Sequence, residues 1–412
     1  MGAPTRELSL APKTNRDSNA SKNNKNLARI ETEENMDSRR SRIRVFLVWL
    51  ATYVVYFVAY AVFGSSIAVL AKVFRLSPIE IGALASALSI GFLMTFLGGI
   101  LSDKIGKKKI VSIGLALCSI GLAAIGISDS FIPCFFSAVL LGIGAGFYEA
   151  AMTPLVLSLF PERRAFAFGS AHLLWGVGAF AGPLLVGYIY STYADWRLVF
   201  YAISILVVGV LLLFLTVRGS ATGKIDLNRG QQDFKLTDLR AIWRLMFGNS
   251  LAWGIEHCIL VWLIIFLTVE RGLGLLLATS SLSVFFLLEA AGRPFWGLFA
   301  DKYGYTMAVK ICAAASGVLL FSAISSTHGI LPLFLMAPTG FFLGGVIPNI
   351  TTAACSRFQF ASGSASGIIN FSGDVGAIVL PFLFGVVVSF SSAFSGFALI
   401  SSLAILIGLI AK

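Results

Sequence analysis

The feature that most restricts what this chain can fold into is its series of apolar runs of about 20 residues, each closed by a short polar break. As a helix, such a run matches the ~30 Å hydrocarbon core of a bilayer. In lipid every backbone polar group must be satisfied internally, which a helix does for itself. Helix-length apolar stretches occur at 45–71, 79–101, 109–128, 131–157, 166–191, 197–217, 242–268, 276–299, 307–326, 329–353, 364–389 and 392–411. The sequence therefore predicts an all-α membrane protein of twelve transmembrane helices. Composition agrees, since 57% of residues are hydrophobic and 12% charged, where a soluble domain has about 25% charged residues.

The basic residues lie in the connectors. Arg39, Arg40, Arg42 and Arg44 precede the first span, Lys104 and Lys107 to Lys109 follow the second, and Arg163 and Arg164 follow the fourth. Arg218, Lys224, Arg229, Lys235 and Arg240 separate the sixth from the seventh, whereas the alternate connectors carry few bases: Lys72 and Arg75 after span 1, none between spans 3 and 4 and none between spans 11 and 12. By the positive-inside rule both termini are expected in the cytoplasm, with the cell membrane the expected location. A net charge of +11 spread in this way forms no basic domain and argues against nucleic acid as a partner.

Residues 1–41 are rich in Ser, Asn, Lys, Arg and Glu without an apolar centre. They read as a disordered cytosolic tail and not as a signal peptide. Residues 218–240, where Asp226, Asp233 and Asp238 mix with the bases, read as a cytosolic linker between a bundle at 42–217 and a second at 241–412. The five cysteines sit inside apolar segments at irregular spacing and read as small core residues, with no metal or cofactor implied.

The two bundles are copies. Gly99, Asp103, Lys104 and Gly106 recur as Gly297, Asp301, Lys302 and Gly304, an offset of 198 residues, and each set closes the second span of its half. Gly169, Gly178 and Pro183 of span 5 recur at the same offset as Gly367, Gly376 and Pro381 of span 11. Two motifs in one register indicate duplication, and paired six-helix repeats are a transporter architecture with the solute site between them at mid-membrane. Asp103 beside a basic run suits a latch whose charge-assisted bonds form in one conformation and break in the other. Alternatively Lys107 to Lys109 only set topology. Glycines on one face of span 5 allow a neighbouring helix to approach closely, and Pro183 permits a bend.

The run from Gly99 through Asp103 and Gly106 to Lys107 and Lys108 resembles the loop signature between spans 2 and 3 of the major facilitator superfamily, and Asp301 to Gly304 resembles its weaker second copy. Gly169, Gly178, Gly182 and Pro183 resemble the superfamily's fifth-span glycine motif, associated with antiporters, with Val186 standing where the pattern has a glycine. The resemblance covers residues 42–412 and implies a secondary transporter working by alternating access.

Ionisable groups at bilayer depth are costly and mark solute or proton paths by default. Here they are Glu149, His172, Glu256, His257, Glu289, Arg293 and Asp374. Glu289 and Arg293 share a helix face and can pair, either as part of a site or as a self-neutralising pair that only stabilises the bundle. With Pro294 and Gly297 they resemble the eighth-span Asp-Arg-Pro signature of monocarboxylate porters, with Glu for Asp; that family's first-span signature is absent from 45–71. The likeness implies an arginine that binds a carboxylate and an acid that takes part in proton coupling. Glu149 follows a glycine-rich stretch, Gly142 to Gly146, near mid-span. Holding a carboxylate charged there is costly, so the position suits proton exchange, a substrate hydrogen bond, or structure. It is similar to the fourth-span acid of organic anion and sugar-acid symporters.

Asn370 and Asp374 share a face of span 11, and Asn370 falls 198 residues after His172. That suggests both face a central polar space, although a lone His in an apolar helix can equally be hydrogen-bonded structure. Trp49, Tyr53, Tyr56 and Tyr60 recur at helical spacing along span 1, and Asn249, Trp253 and Glu256 along span 7. Such stripes either line a cavity and stack on a solute or serve as packing and interface anchors.

These readings together predict a monomeric carrier for a small organic solute, with a proton as coupling ion and an organic anion such as a carboxylate favoured. A proton-driven drug or metabolite exporter is the alternative within the fold, and a non-transporting membrane sensor the alternative outside it. No Walker-type loop, HExxH or GxSxG occurs, so neither ATP hydrolysis nor another enzymatic activity is expected.

Overall fold

Helices begin and end where the local chemistry directs. Ser77 caps the second span through a capping box: its hydroxyl accepts from the Glu80 amide, and Glu80 in turn accepts from the Ser77 amide at 2.8 Å, with Pro78 at the first helical position. In the computed structural model the chain is described over residues 46–159, 164–216, 236–326, 330–357 and 362–411, with the side chains of 153–154, 156–159, 164–173, 236–239, 241 and 362–366 outside the description. Among these residues twelve helices are long and apolar enough to cross a membrane.

They are α1 (Phe46–Phe74), α2 (Pro78–Ile105), α3 (Lys107–Ile127), α4 (Phe131–Leu159), α5 (Arg164–Tyr193), α6 (Arg197–Thr216), α7 (Leu236–Ile265), α8 (Leu275–Tyr303), α9 (Tyr305–Ser325), α10 (Leu331–Arg357), α11 (Ser362–Phe390) and α12 (Ala393–Ile410). The expected spans coincide with these to within a few residues, except that α7 starts earlier, inside the segment read as linker, and continues through a π-helical turn, Phe266–Glu270. Of that linker 218–235, like the tail 1–41, lies outside the described residues. Helix α2 is interrupted between Phe92 and Thr95, and α10 between Leu343 and Val346.

The repeat is visible in backbone geometry. Gly106 (φ 99°, ψ 138°) ends α2 and starts α3, and Gly304 (φ 93°, ψ 144°) does the same between α8 and α9. That region is essentially open to glycine alone. The invariant spacing of the motif thus reflects a turn that no side chain tolerates. Gly106→Ala is expected to cost about 1–3 kcal/mol, read as a lowered midpoint in thermal unfolding of the purified protein.

Packing repeats as well. A methyl on Gly142 of α4 would lie 2.0 Å from the Leu88 carbonyl oxygen of α2, and one on Gly340 of α10 would lie 2.2 Å from that of Phe285 in α8. Gly142 and Gly340 are again 198 residues apart, a third pair in register that marks where α2 crosses α4 and α8 crosses α10. Likewise Gly178 of α5 lies against Phe57 of α1, and Gly376 of α11 against Ser250 of α7. The fifth-span glycines therefore do admit a close neighbour, with Gly182 against Ala61. Gly169 falls outside the described side chains.

Helix α1 joins the halves against α7, where Gly64 meets Leu260, and so do α2 with α11 and α5 with α8, two pairs that the repeat exchanges. Their closest approaches lie away from the Gly106 and Gly304 turns: Gly82 and Gly385 bring α2 and α11 together, Ser86 Oγ donates to the Ile378 carbonyl at 2.6 Å, and Gly176 and Gly187 meet Ala290 and Thr279. At the opposite end of the same helices, a methyl on Gly99, Gly297 or Gly367 would meet nothing within 4 Å. The close contacts of these two helix pairs thus lie at the end away from the Asp103 and Asp301 turns.

Candidate functional site

Helices α1, α5, α7 and α8 carry a buried polar cluster where the halves meet. Arg293 Nη2 donates to Glu289 Oε1 at 2.6 Å along one face of α8, and the same nitrogen lies 3.9 Å from Glu256 Oε1 of α7. Glu289 is 1% exposed and Glu256 6%, so two carboxylates share one guanidinium out of water. The sequence showed the first pair through its i, i+4 spacing. The third member arrives from another helix, and no local spacing could have announced it.

The cluster is short of partners. Glu289 Oε2 and Arg293 Nε are buried and form no hydrogen bond with described residues, and the same holds for the indole nitrogens of Trp175 and Trp253. Buried donors and acceptors left unmade cost about 1–3 kcal/mol each, so this is a place where a solute's polar groups would be welcome. The Arg293 guanidinium carbon lies 5.9 Å from the centre of the Trp175 ring, within range of a cation–π attraction.

Trp175 is also the hinge of an aromatic wall. It meets Phe57 and Tyr60 of α1 and Phe286 of α8 edge to face, with ring centres 5.0, 5.6 and 6.1 Å away. Tyr60 reaches across to α7, where its hydroxyl bonds His257 Nε2. Because a carbonyl can only accept, His257 Nδ1 must donate to the Trp253 carbonyl at 2.8 Å, which leaves Nε2 of the neutral ring to accept from Tyr60. His257 stacks on Trp253, ring centres 6.0 Å apart and nearly parallel.

A third acid stands in the first half. Tyr53 Oη donates to Glu149 Oε1 at 3.2 Å, and the Tyr53 and Tyr56 rings pack on fully buried Tyr148, which exchanges a 3.0 Å hydrogen bond with Thr52. The α1 stripe is therefore interior, with Tyr53 3% and Tyr56 5% exposed, and not an interface anchor. Tyr148 and Trp175 had no signal in the sequence beyond being aromatic in an apolar run.

The remaining candidates divide. Asn249, on the stripe with Trp253 and Glu256, donates to the Ile369 carbonyl at 2.7 Å and ties α7 to α11, while its Oδ1 is buried without a hydrogen bond to a described residue. Asp374 is half-buried and Asn370 exposed, and neither bonds a described residue. The His172 side chain lies outside the description. Asp103 is exposed with Gly106 and Lys107 half-exposed beside it, while Asp301 accepts from Tyr305 at 3.3 Å. Among the described residues no three His, Cys, Asp or Glu side chains gather as metal ligands would.

Twelve membrane-length helices in two repeats, with buried charges between them, fit a multi-pass membrane transporter. The chain belongs to the Major Facilitator Superfamily, whose family model matches residues 49–381. Among its relatives, the hexuronate transporter of Bacillus subtilis is 25% identical over 370 residues, covering 80% of this chain and 84% of that protein. The cis,cis-muconate transport protein of Acinetobacter baylyi is 26% identical over 405 residues, with 91% and 96% covered. Others of similar identity are a probable nitrate/nitrite antiporter of Thermus thermophilus and multidrug resistance protein D of Escherichia coli. The fold matches a bacterial homolog of the human lysosomal transporter Spinster, solved inward-facing and unoccupied, with a TM-score of 0.74 at 15% identity, covering 90% and 95% of the two chains. This lineage is one of transporters and not of enzymes.

Proposed function

We propose that this transporter carries a small organic anion, a carboxylate, together with a proton, by alternating access, with Arg293 as the anchor for the anion. The observation that carries the reading is the buried Arg293, its Nε without a hydrogen bond to a described residue, shared by two acids between the halves. A guanidinium held out of water with an unmade bond is suited to bind a carboxylate through a planar fork. The two carboxylate transporters among the relatives agree with it. Coupling to protons follows from charge: an anion entering a buried site that already holds two acids meets repulsion unless a proton comes with it.

Alternating access rests in this reading on the α2–α11 and α5–α8 pairs, whose close contacts lie away from the Asp103 and Asp301 turns. With the basic connectors read as cytoplasmic, those contacts fall toward the outer face, and exposed Asp103 suits the released state of its latch. The fifth-span glycines suit the exporter alternative, but they pack α5 on α1 in this fold and need no drug to explain them.

The test uses Arg293→Lys, which keeps the charge and removes the fork. In proteoliposomes, uptake of labelled glucuronate or cis,cis-muconate should fall at least about tenfold, the worth of one charge-assisted hydrogen bond, with the thermal midpoint held. Unchanged uptake removes Arg293 from the site.

A further inference from the structure

The triad contains one acid more than its base can neutralise, and the two acids are not equivalent. Glu289 is a fixed counter-ion: it is on the same helix as Arg293, four residues earlier, at 2.6 Å, and almost wholly buried. Glu256 reaches the same nitrogen from α7 at 3.9 Å, a looser approach across a helix boundary. A pair held by one helix survives movements of the bundle, whereas a contact between two helices is made or lost as they shift. Resting on the anion reading above, we propose that Glu256 is the carboxylate that takes up the coupling proton, and that the cargo's carboxylate replaces it at Arg293.

The step balances without any co-reactant. A proton from the side of entry adds to a Glu256 carboxylate oxygen; the neutral acid releases its hold on Arg293 Nη2; the incoming carboxylate takes that place. Before binding, the triad holds two negative charges against one positive. Afterwards Glu289 and the cargo hold two against one again, so one monoanion and one proton enter together and leave together. The buried site never carries a further charge, which is the condition low-dielectric surroundings impose.

Other groups near Glu256 have duties that leave it this one. From α8 come Glu289 and Arg293 themselves. From α1 comes Tyr60, whose hydroxyl is committed to His257, and His257 on α7 is held at both ring nitrogens. Helix α11 contributes Asp374, which makes no ion pair with a described residue, and α10 only Cys355 and Arg357 at its end; α12 carries no ionisable side chain from Ala393 to Ile410. Glu149 is engaged by Tyr53 in the other half.

Infrared difference spectra of the full-length protein in liposomes, taken between acid and mildly alkaline pH, test this without knowledge of the cargo. The wild type should gain a protonated-carboxyl band at the acid end of that range. Glu256→Gln should lack that component, and Glu256→Asp should retain it at a displaced frequency, which guards against a variant that merely misfolds. Net uptake of glucuronate driven by a proton gradient should fall about tenfold or more in Glu256→Gln. An undiminished band in Glu256→Gln, or none in the wild type, overturns the proposal. A titrating band lost in Glu256→Gln from a protein that moves no carboxylate would instead uphold the proton site and overturn the cargo.

Discussion

Arg293→Ala is expected to abolish carboxylate uptake and to destabilise the folded protein by about 3–5 kcal/mol. Removing the guanidinium leaves Glu256 and Glu289 buried side by side with no positive charge between them. The cost comes from the stranded acids more than from the lost bonds. A triple variant, Glu256→Gln, Glu289→Gln and Arg293→Gln, should therefore melt well above the single one, because neutral amides can bond one another. Transport should remain absent in both. If thermal unfolding shows the single variant as stable as the wild type, the triad is wetter than its burial implies.

Gly376→Ala is the second large effect. The added methyl would stand 1.8 Å from the Ser250 carbonyl oxygen and 2.5 Å from its carbon, both backbone atoms that no rotamer change can move aside. Helices α7 and α11 would have to separate, and the Asn249 bond to Ile369 spans the same seam. Overpacking of this kind costs about 1–3 kcal/mol or more, to be read in the thermal midpoint. Gly297→Ala is the control, since its methyl would meet nothing within 4 Å and alanine favours a helix by about 1 kcal/mol. If the motif ends close on one another in the alternate state, that stable variant should transport slowly.

What the sequence made legible follows from the range of each interaction. Spans are legible because lipid thickness imposes a length, and the halves because duplication preserved Gly106 and Gly304 at turns closed to other residues. Glu289 and Arg293 are legible because a helix brings i and i+4 together. Glu256 joining them is not, since that depends on how α7 lies beside α8. Nor could local pattern show that Asn249 ties α7 to α11 through the Ile369 carbonyl, while Trp253, one turn later, leaves its indole nitrogen without a bond to a described residue. The aromatic stripe on α1 was visible as a stripe, but whether it faced lipid or the interior depended on Tyr148 and Trp175 from other helices. The third glycine pair, Gly142 and Gly340, was in the sequence throughout, in the register of the other two.

Gradient-driven uptake into proteoliposomes tests the central claim most directly. With an inside-alkaline pH difference imposed, the protein should accumulate labelled glucuronate or cis,cis-muconate above the outside concentration, and a protonophore should release it. Accumulation indifferent to the protonophore would contradict proton coupling. Failure to move either carboxylate, with expulsion of an uncharged amphiphile under the opposite gradient, would contradict the anion at Arg293.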